Sequence, residues 1–199
     1  MNIGTYSYEE YVHLVTSFHG SPAPGLLIGG FIVDLALKNL PEGEFFDAIC
    51  ETPVCLPDSV QLLTPCTIGN GWLKILDFGR FAVTLYEKKS GAGIRVFLDV
   101  EKLKNWPEVY TWFMKLKSKR EQDYDLLVSQ IKQAGHDLLG MQKVKVEPAK
   151  LQRDRMGPVS VCPACGEAYP VNHGAVCKNC AGESPYIRHA ALKPGGAAL

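Results

Sequence analysis

The sequence predicts an α+β fold, in which a mixed core domain of helices and a mainly antiparallel sheet precedes a small C-terminal module. Two observations carry this prediction. Apolar residues recur at helical spacing in several segments, and short strand-like runs lie between these segments. A polar stretch with two prolines then leads into a short segment rich in cysteine. We therefore expect a core over residues 1–147, a linker over 148–160, a cysteine-rich module over 161–187 and a flexible tail over 188–199.

The composition limits the classes of function. The apolar fraction of 46% in 199 residues suits one globular domain with an appendage. The 21 basic residues equal the 21 acidic ones, so the net charge gives no electrostatic case for nucleic acid or for anionic membranes. The N-terminus lacks the basic segment of a signal peptide, and the longest apolar run, 26–40, contains Asp34 and Lys38. We expect a cytoplasmic protein without a membrane span.

The first helix is predicted to begin at Tyr8, because Ser7 opens a Ser-x-x-Glu capping box. It should end at Gly20, which fits a helix C-cap. The apolar spacing within this helix places His19 on the face that looks towards the core. A second helix over 25–40 is apolar on most of its circumference, so we expect it to be buried.

The middle of the chain predicts the sheet. The candidate strands share β-branched and aromatic residues between turn signals; they cover 44–51, 73–79, 81–87, 93–99 and 142–148. A short helix that begins at Pro57 separates the first two strands. Two helical patterns, 101–118 and 121–139, precede the last strand, and Pro107 either begins a helix or kinks one there.

The C-terminal cysteines predict a structural zinc site, which makes 161–187 a Cys₄ zinc finger. Cys162 and Cys165 form one Cys-x-x-Cys pair, and Cys177 and Cys180 form a second. Two such pairs supply four thiolates for a tetrahedral Zn²⁺. A segment this small has little core of its own, so metal binding would fold it. An iron–sulfur cluster or a rubredoxin-like iron is the alternative.

Four sulfur ligands leave no open coordination position for a substrate, so this zinc would be structural and would not indicate which function the protein has. The nearby His173 and His189 are then expected to be solvated surface residues. The chain has 7 cysteines, an odd number, and no secretion signal, which favours thiols or metal thiolates over a disulfide framework.

Three further side chains are candidate site residues: His19, Cys55 and Cys66. Cys55 precedes a predicted helix start, where the helix dipole favours a thiolate that can bind metal or act as a nucleophile. The alternative is that Cys55 is a small buried hydrophobic residue, as we expect for Cys50 within its strand. If residues 55–66 were fully helical, the sulfurs of Cys55 and Cys66 would lie ~16 Å apart and would need a bend or a contact with a second copy to share an ion. A histidine such as His19 is most often a satisfied core residue.

Taken together, "FHGSPAPGLLIGG", "ETPVCLPDSVQLLTPCTIGNGWLKILDFGRFAVTLY" and the C-terminal "CPAC" and "CKNC" resemble the FmdE family of formylmethanofuran dehydrogenase proteins. The resemblance covers most of residues 7–187. It implies an α+β core with an auxiliary treble-clef zinc finger, and a metal-capable cleft in the core. The family takes its name from a molybdenum or tungsten enzyme complex of methanogenesis, and many of its members occur outside that complex.

The sequence departs from the family's opening motif, which usually reads F-H-G-H-x-C-P-G. Ser21 stands where the second histidine is expected, and Ala23 replaces the motif cysteine. The resemblance therefore implies a partly degraded metal or thiol cleft. The ligands that remain for a possible second metal ion are His19, Cys55 and Cys66.

These observations leave several functions open. The first is an accessory or enzyme-like protein with a core metal or thiol cleft, linked to molybdenum or tungsten one-carbon metabolism and partnered by a protein of that enzyme system. The second is a non-catalytic binding module whose finger recruits a protein or, less readily, a nucleic acid. A purely structural component of a larger complex is the third. No dinucleotide fingerprint, P-loop or nucleophilic-serine motif is present, so the sequence assigns no reaction.

We also expect a homodimer, because large aromatic residues are dense in one predicted helix; these are Trp106, Tyr110, Trp112 and Phe113. Packing of the same residues into the core would explain them equally well.

Overall fold

The chain divides into two units, Met1–Leu151 and Gln152–Leu199, and the computed structural model describes residues 1–41, 45–151 and 157–186. A 3₁₀ helix, Pro148–Leu151, falls within the predicted linker, and a strand, Val159–Val161, crosses the predicted boundary between the linker and the finger. The predicted flexible tail and His189 lie outside the described residues. Within the described ranges, no helix combines the length and the apolar character needed to cross a membrane.

The first unit alternates helices and strands. Its strands, in chain order, are β1 (Asn2–Ile3), β2 (Tyr6–Ser7), β3 (Phe46–Cys50), β4 (Leu73–Ile75), β5 (Ala82–Glu87), β6 (Ala92–Leu98) and β7 (Leu139–Lys145). Its α-helices are α1 (Tyr8–His19), α2 (Pro24–Lys38), α3 (Leu56–Leu63), α4 (Val100–Leu103), α5 (Pro107–Phe113) and α6 (Tyr124–Ala134).

The main sheet has five strands in the order β4-β3-β5-β6-β7. Every neighbouring pair is antiparallel except β3 and β4, which run parallel across the helical crossover through α3. The prediction of an α+β core with a mainly antiparallel sheet is therefore confirmed. Cys50, at the end of β3, is fully buried, as its alternation within an apolar strand predicts.

The first two helices follow their sequence signals. The Ser7 side chain accepts a hydrogen bond from the Glu10 N–H, the Glu10 carboxylate accepts one from the Ser7 N–H, and α1 begins at the next residue, Tyr8. Gly20 ends α1 in the left-handed conformation, with φ 85°. Helix α2 is buried along most of its length, as its apolar circumference predicts, although it ends at Lys38 rather than at residue 40.

The later helices are shorter than their patterns suggested. The predicted helix over 101–118 is two helices, α4 and α5, and Pro107 begins the second one. The helix predicted over 121–139 begins at Tyr124 and stops at Ala134, because Gly135 has a positive φ of 51°. A 3₁₀ helix, Gly135–Leu138, then leads into β7. The strand predicted over 73–79 ends at Ile75, because the N–H groups of Phe78 and Arg80 turn to the Glu51 carbonyl instead of pairing along the sheet.

The four aromatic residues that suggested a dimer, which are Trp106, Tyr110, Trp112 and Phe113, are partly buried and pack against the core. Core packing therefore accounts for their density without a contact between two copies of the chain.

Gly30 of α2 lies against the Tyr11 ring of α1. A Cβ atom there would clash with Cε1 of Tyr11, and the Tyr11 hydroxyl is held in place by donating to the Leu26 carbonyl at 2.9 Å. We expect Gly30→Ala to lower the free energy of unfolding by about 1–3 kcal/mol, measured in urea, because the buried ring cannot withdraw without losing that bond. Gly69→Ala is the control, since its Cβ would meet nothing closer than Thr67 Oγ1 at 3.9 Å. Equal stability of the two variants would contradict this account.

The second unit is built around a hairpin. Strands β8 (Val159–Val161) and β9 (Ala168–Pro170) pair antiparallel, and the turn between them carries the first Cys-x-x-Cys pair. A 3₁₀ turn, Val171–His173, and a π-helical segment, Asn179–Glu183, follow. His173 is exposed, as predicted for a residue outside the four-sulfur shell.

Candidate functional site

The loop between α1 and α2 brings backbone close to the Cys55 thiol. Gly25 lies in the first turn of α2, and a Cβ atom added there would sit only 2.7 Å from the Cys55 Sγ. No residue larger than glycine fits this position without displacing the sulfur. Pro24 begins the helix and fixes the path of the loop into it.

Cys55 is the N-cap of α3 and has an unusual backbone. Its φ of 61° and ψ of −53° lie where non-glycine residues are strained. Its carbonyl accepts hydrogen bonds from the N–H groups of Asp58 and Ser59, at 3.1 and 3.3 Å, which anchor it at the start of α3. The side chain remains half-buried, so the thiol can be reached from one side.

The thiol of Cys55 is not activated in the way its position before a helix suggested. Burial raises its pKa, and the negative charge of Asp58 raises it further, whereas Lys115 acts in the opposite direction. The pKa of Cys55 is therefore shifted away from the thiolate that its position before a helix favours, and burial is the largest cause.

His19 does not face the core. Its side chain is 37% exposed, and its Nδ1 lies 3.1 Å from Oδ2 of Asp58 in the first turn of α3. The expectation of a core histidine is wrong because the chain turns away after Gly20 and leaves the last turn of α1 open to solvent. Phe18, on the same turn, is likewise 56% exposed.

Cys66 lies in a different environment from Cys55. It is fully buried, and its Sγ donates to the Phe46 carbonyl at 3.6 Å. Burial raises the pKa of this thiol as well. Among the described residues, the only group of three or more metal-ligating side chains drawn together is the C-terminal cysteine cluster. His19, Cys55 and Cys66 are thus not assembled into one three-ligand site.

Cys55 instead lies at the floor of a cleft, which we call the Cys55 cleft. Its main chamber, of about 730 Å³, runs between the loop at 21–25 and the segment at 112–124 that joins α5 to α6. An adjoining recess of about 250 Å³ reaches beside Cys55 to Phe81 and Phe113. This volume is typical of a small-molecule site.

The two sides of the Cys55 cleft are tied together. The hydroxyl of Tyr124, at the start of α6, donates to the Pro22 carbonyl at 2.7 Å. The chamber is lined by Trp112 and by three lysines, Lys115, Lys117 and Lys119, which we call the lysine rim. Sequence analysis missed these lysines, although the run "KLKSKR" directly after an aromatic helix was a visible signal.

The four C-terminal cysteines form a compact ligand set in the second unit. One ligand atom from each of Cys162, Cys165, Cys177 and Cys180 lies within 4.8 Å of the others. The Cys165 and Cys177 sulfurs are 3.8 Å apart. Zinc–sulfur bonds of about 2.3 Å in a tetrahedral site place two sulfurs ~3.8 Å apart, so the observed distance fits such a site.

The backbone favours the thiolate form of one of these cysteines, Cys162. The Cys177 N–H donates to the Cys162 Sγ at 3.4 Å and lowers the pKa of that thiol. Gly166, with φ 79°, closes the first Cys-x-x-Cys turn by donating its N–H to the Cys162 carbonyl at 2.8 Å. The geometry and the donor set fit a closed tetrahedral zinc site.

Comparisons with known proteins agree with this division. Residues 18–146 match the profile of a family described as "FmdE, Molybdenum formylmethanofuran dehydrogenase operon", and residues 153–187 match that of the "FmdE treble clef zinc finger". The four-cysteine cluster is therefore the zinc site of a treble-clef finger. A curated relative from Archaeoglobus fulgidus, named "Probable S-adenosyl-L-methionine-binding protein", is 31% identical over 186 residues. The match covers 83% of this chain but only 50% of that relative.

A solved structure is more similar. It is a crystal structure of a tungsten formylmethanofuran dehydrogenase FmdE-like protein from Syntrophus aciditrophicus, with 57% sequence identity and a TM-score of 0.84. The match covers 94% of this chain and 98% of that one.

Proposed function

This chain belongs to the FmdE family, and from that premise we propose that it is a cytoplasmic accessory protein that binds a small molecule in the Cys55 cleft. Its pathway is one-carbon metabolism of the formylmethanofuran dehydrogenase type, and its zinc finger is a structural module that contacts a protein of that enzyme system. The family profile and the similar structure support the link to such an enzyme.

The Cys55 cleft is the observation that carries this proposal. It offers a chamber of about 730 Å³ with a reachable thiol at its floor and an aromatic wall. Ser21 and Ala23 line it at the positions where the family motif has ligands, and neither side chain binds a metal strongly. A cleft of this volume that lacks these ligands is suited to binding an organic ligand.

S-adenosyl-L-methionine is one ligand to test, because a curated relative is named for binding it. Its adenine ring would pack against Trp112 and its carboxylate would face the lysines, whereas those lysines would repel its sulfonium and ammonium groups.

A direct test uses N-phenyl-1-naphthylamine, a neutral dye that fluoresces in apolar clefts. We expect one saturable site per chain, lost in Ser21→Phe, because the new ring would occupy the mouth of the Cys55 cleft. Ser129→Phe makes the same change on the exposed face of α6 and should keep binding. A shallow groove along α1 beside Leu14 is the other place where the dye would bind, and binding there would be unchanged in both variants. Dye binding that survives Ser21→Phe would therefore overturn the proposal.

A metal in the core is the second candidate function, and one contact favours it. The Asp58 carboxylate lies 3.1 Å from His19 Nδ1. In many metal sites a carboxylate binds one ring nitrogen of a histidine in this way and orients the other ring nitrogen towards the metal. Cys55 lies three residues before Asp58 and would be the second protein ligand.

Elemental analysis of the full chain separates the two candidates. We expect one zinc per chain, unchanged by His19→Ala or Cys55→Ser, since the core cysteines and His19 do not form a three-ligand group. A second metal ion that disappears in Cys55→Ser would instead establish the core metal site.

The partner proposal is tested by affinity purification from the native host, with bound proteins identified by mass spectrometry. Components of a molybdenum or tungsten enzyme should be enriched with the wild type. Their absence would contradict the link to that enzyme system. Sedimentation of the purified chain tests the predicted homodimer.

A further inference from the structure

We propose that the Cys55 cleft selects an anionic ligand, whose negative group binds Lys115 and Lys119 while its planar apolar body packs against Trp112. This inference rests on the proposed function of the cleft as a small-molecule site and names the chemical class of that molecule.

The lining of the main chamber carries positive charge. Three lysines, Lys115, Lys117 and Lys119, line the main chamber, and no carboxylate of the described residues lines it. The chain as a whole has equal numbers of acidic and basic residues, so the positive charge of the lining is a local property of the cleft. A concave site lined by one sign of charge concentrates ligands of the opposite sign.

Two of these three lysines are available to bind an anion. Lys117 lies 3.4 Å from Oε1 of Glu108 and is partly neutralised by it. Lys115 and Lys119 form no ion pair within the described ranges. An incoming anion would therefore not have to displace a protein carboxylate from either of them.

The nearby carboxylates are engaged in local hydrogen bonds. Glu121 accepts from the Ser118 N–H at 3.0 Å and from its hydroxyl at 2.6 Å. Asp123 caps α6 by accepting from the Leu126 N–H at 3.0 Å. Glu121 and Asp123 are therefore occupied by hydrogen bonds within the α5–α6 loop and the first turn of α6, whereas the lysines of the loop line the chamber.

The backbone holds Lys115 beside the aromatic wall. Lys115 has a φ of 58°, and its N–H donates to the Trp112 carbonyl at 3.3 Å, so the chain reverses directly after α5. Within the described residues, Cys55 and Lys115 are the two non-glycine residues with positive φ, and both line this cleft. Strained residues that the fold holds in place are concentrated at ligand sites.

The apolar side of the cleft fits a planar group. Trp112 packs against Phe113 with ring centroids 6.1 Å apart, and Phe113 meets Phe81 edge-on at 6.0 Å. These rings support one another, and a flat ligand entering beside them would gain contact area without rearranging the wall. The ligand class is therefore an aromatic sulfonate, carboxylate or phosphate of about nucleotide size.

The experiment compares two dyes of similar shape on the full chain. The anionic 8-anilinonaphthalene-1-sulfonate should bind more tightly than the neutral N-phenyl-1-naphthylamine. The double variant Lys115→Gln/Lys119→Gln should weaken binding of the anion about tenfold and leave the neutral dye unchanged. Lys143→Gln removes one exposed charge from β7, outside the cleft, and is the control. Added salt should weaken only the anion.

A set of naphthalene compounds then identifies the head group. We expect 1-naphthyl phosphate and 1-naphthoate to displace the anionic dye and 1-naphthol to displace it poorly. Whichever of the first two binds more tightly distinguishes a phosphate ligand from a carboxylate ligand.

The outcomes separate this inference from the function on which it rests. Equal binding of both dyes, abolished by Ser21→Phe but insensitive to the lysine variants, would overturn the anion preference and leave the small-molecule site standing. An equal loss in Lys143→Gln would also overturn it, since the effect would then be non-specific. If neither dye enters the cleft, both proposals fail.

Discussion

Replacing Cys177 by serine is expected to remove zinc from the finger and unfold residues 157–186, while the core unit stays folded. The second unit has few buried apolar side chains among its described residues, so the metal supplies most of its folding free energy. Structural zinc in finger peptides contributes about 10–16 kcal/mol, and a serine hydroxyl is a poor substitute for a thiolate ligand. The zinc content should fall from one per chain to near zero.

Limited proteolysis provides the second measurement for this variant. Cleavage should become rapid within 157–186 and remain slow in the core, whose thermal transition should not move. Ser160→Ala, at an exposed position on β8, is the matched control and should keep zinc and protease resistance. Retention of zinc and of a folded finger in Cys177→Ser would show that the cluster is not the metal site.

Glu51→Ala is expected to be the most destabilising single change in the core, at about 3–5 kcal/mol. The Glu51 side chain is buried and accepts from Arg95 Nε at 2.6 Å and from Arg95 Nη2 at 2.8 Å. Arg80 adds a third contact at 2.8 Å. Removing the carboxylate leaves the guanidinium of Arg95, whose side chain is only 13% exposed, without its counter-charge. Chemical denaturation measures the loss.

The same carboxylate should make the core sensitive to acid. Burial by itself would raise the pKa of Glu51, but the hydrogen bonds and charges of Arg95 and Arg80 outweigh it, so the pKa is lowered. A carboxyl group with a lowered folded-state pKa stabilises the fold above its unfolded pKa of about 4.3, and this contribution is lost as the pH falls below that value.

The stability of the wild type should therefore fall more steeply between neutral pH and pH ~3 than that of Glu51→Gln. Glu101→Gln is the control, because Glu101 pairs with Lys104 at an exposed site and its loss should change little. Parallel pH profiles of the wild type and Glu51→Gln would contradict the role of this ion pair.

The candidate site was only partly predictable from the sequence. The zinc ligands follow from their spacing, since two Cys-x-x-Cys turns have few other uses in a segment without a core. His19 and Cys55 were found as individual residues, but their environments were not: His19 faces Asp58 and solvent, and Cys55 is a half-buried thiol against Gly25. Helical periodicity gives the direction of a side chain and does not reveal whether another element covers it.

The sequence by itself determined the features that depend on local interactions: the capping box at Ser7, the end of α1 at Gly20, the start of α5 at Pro107 and the four sulfurs of the finger. Only the tertiary structure decided that residues 21–25, 55 and 112–124 meet in one cleft with a lysine rim. Those segments are far apart in the chain, and their association depends on how α2, α3 and the α5–α6 loop pack. Caps and metal-binding turns are set within a few residues, whereas the charge and shape of a cleft are set by the packing of the whole core.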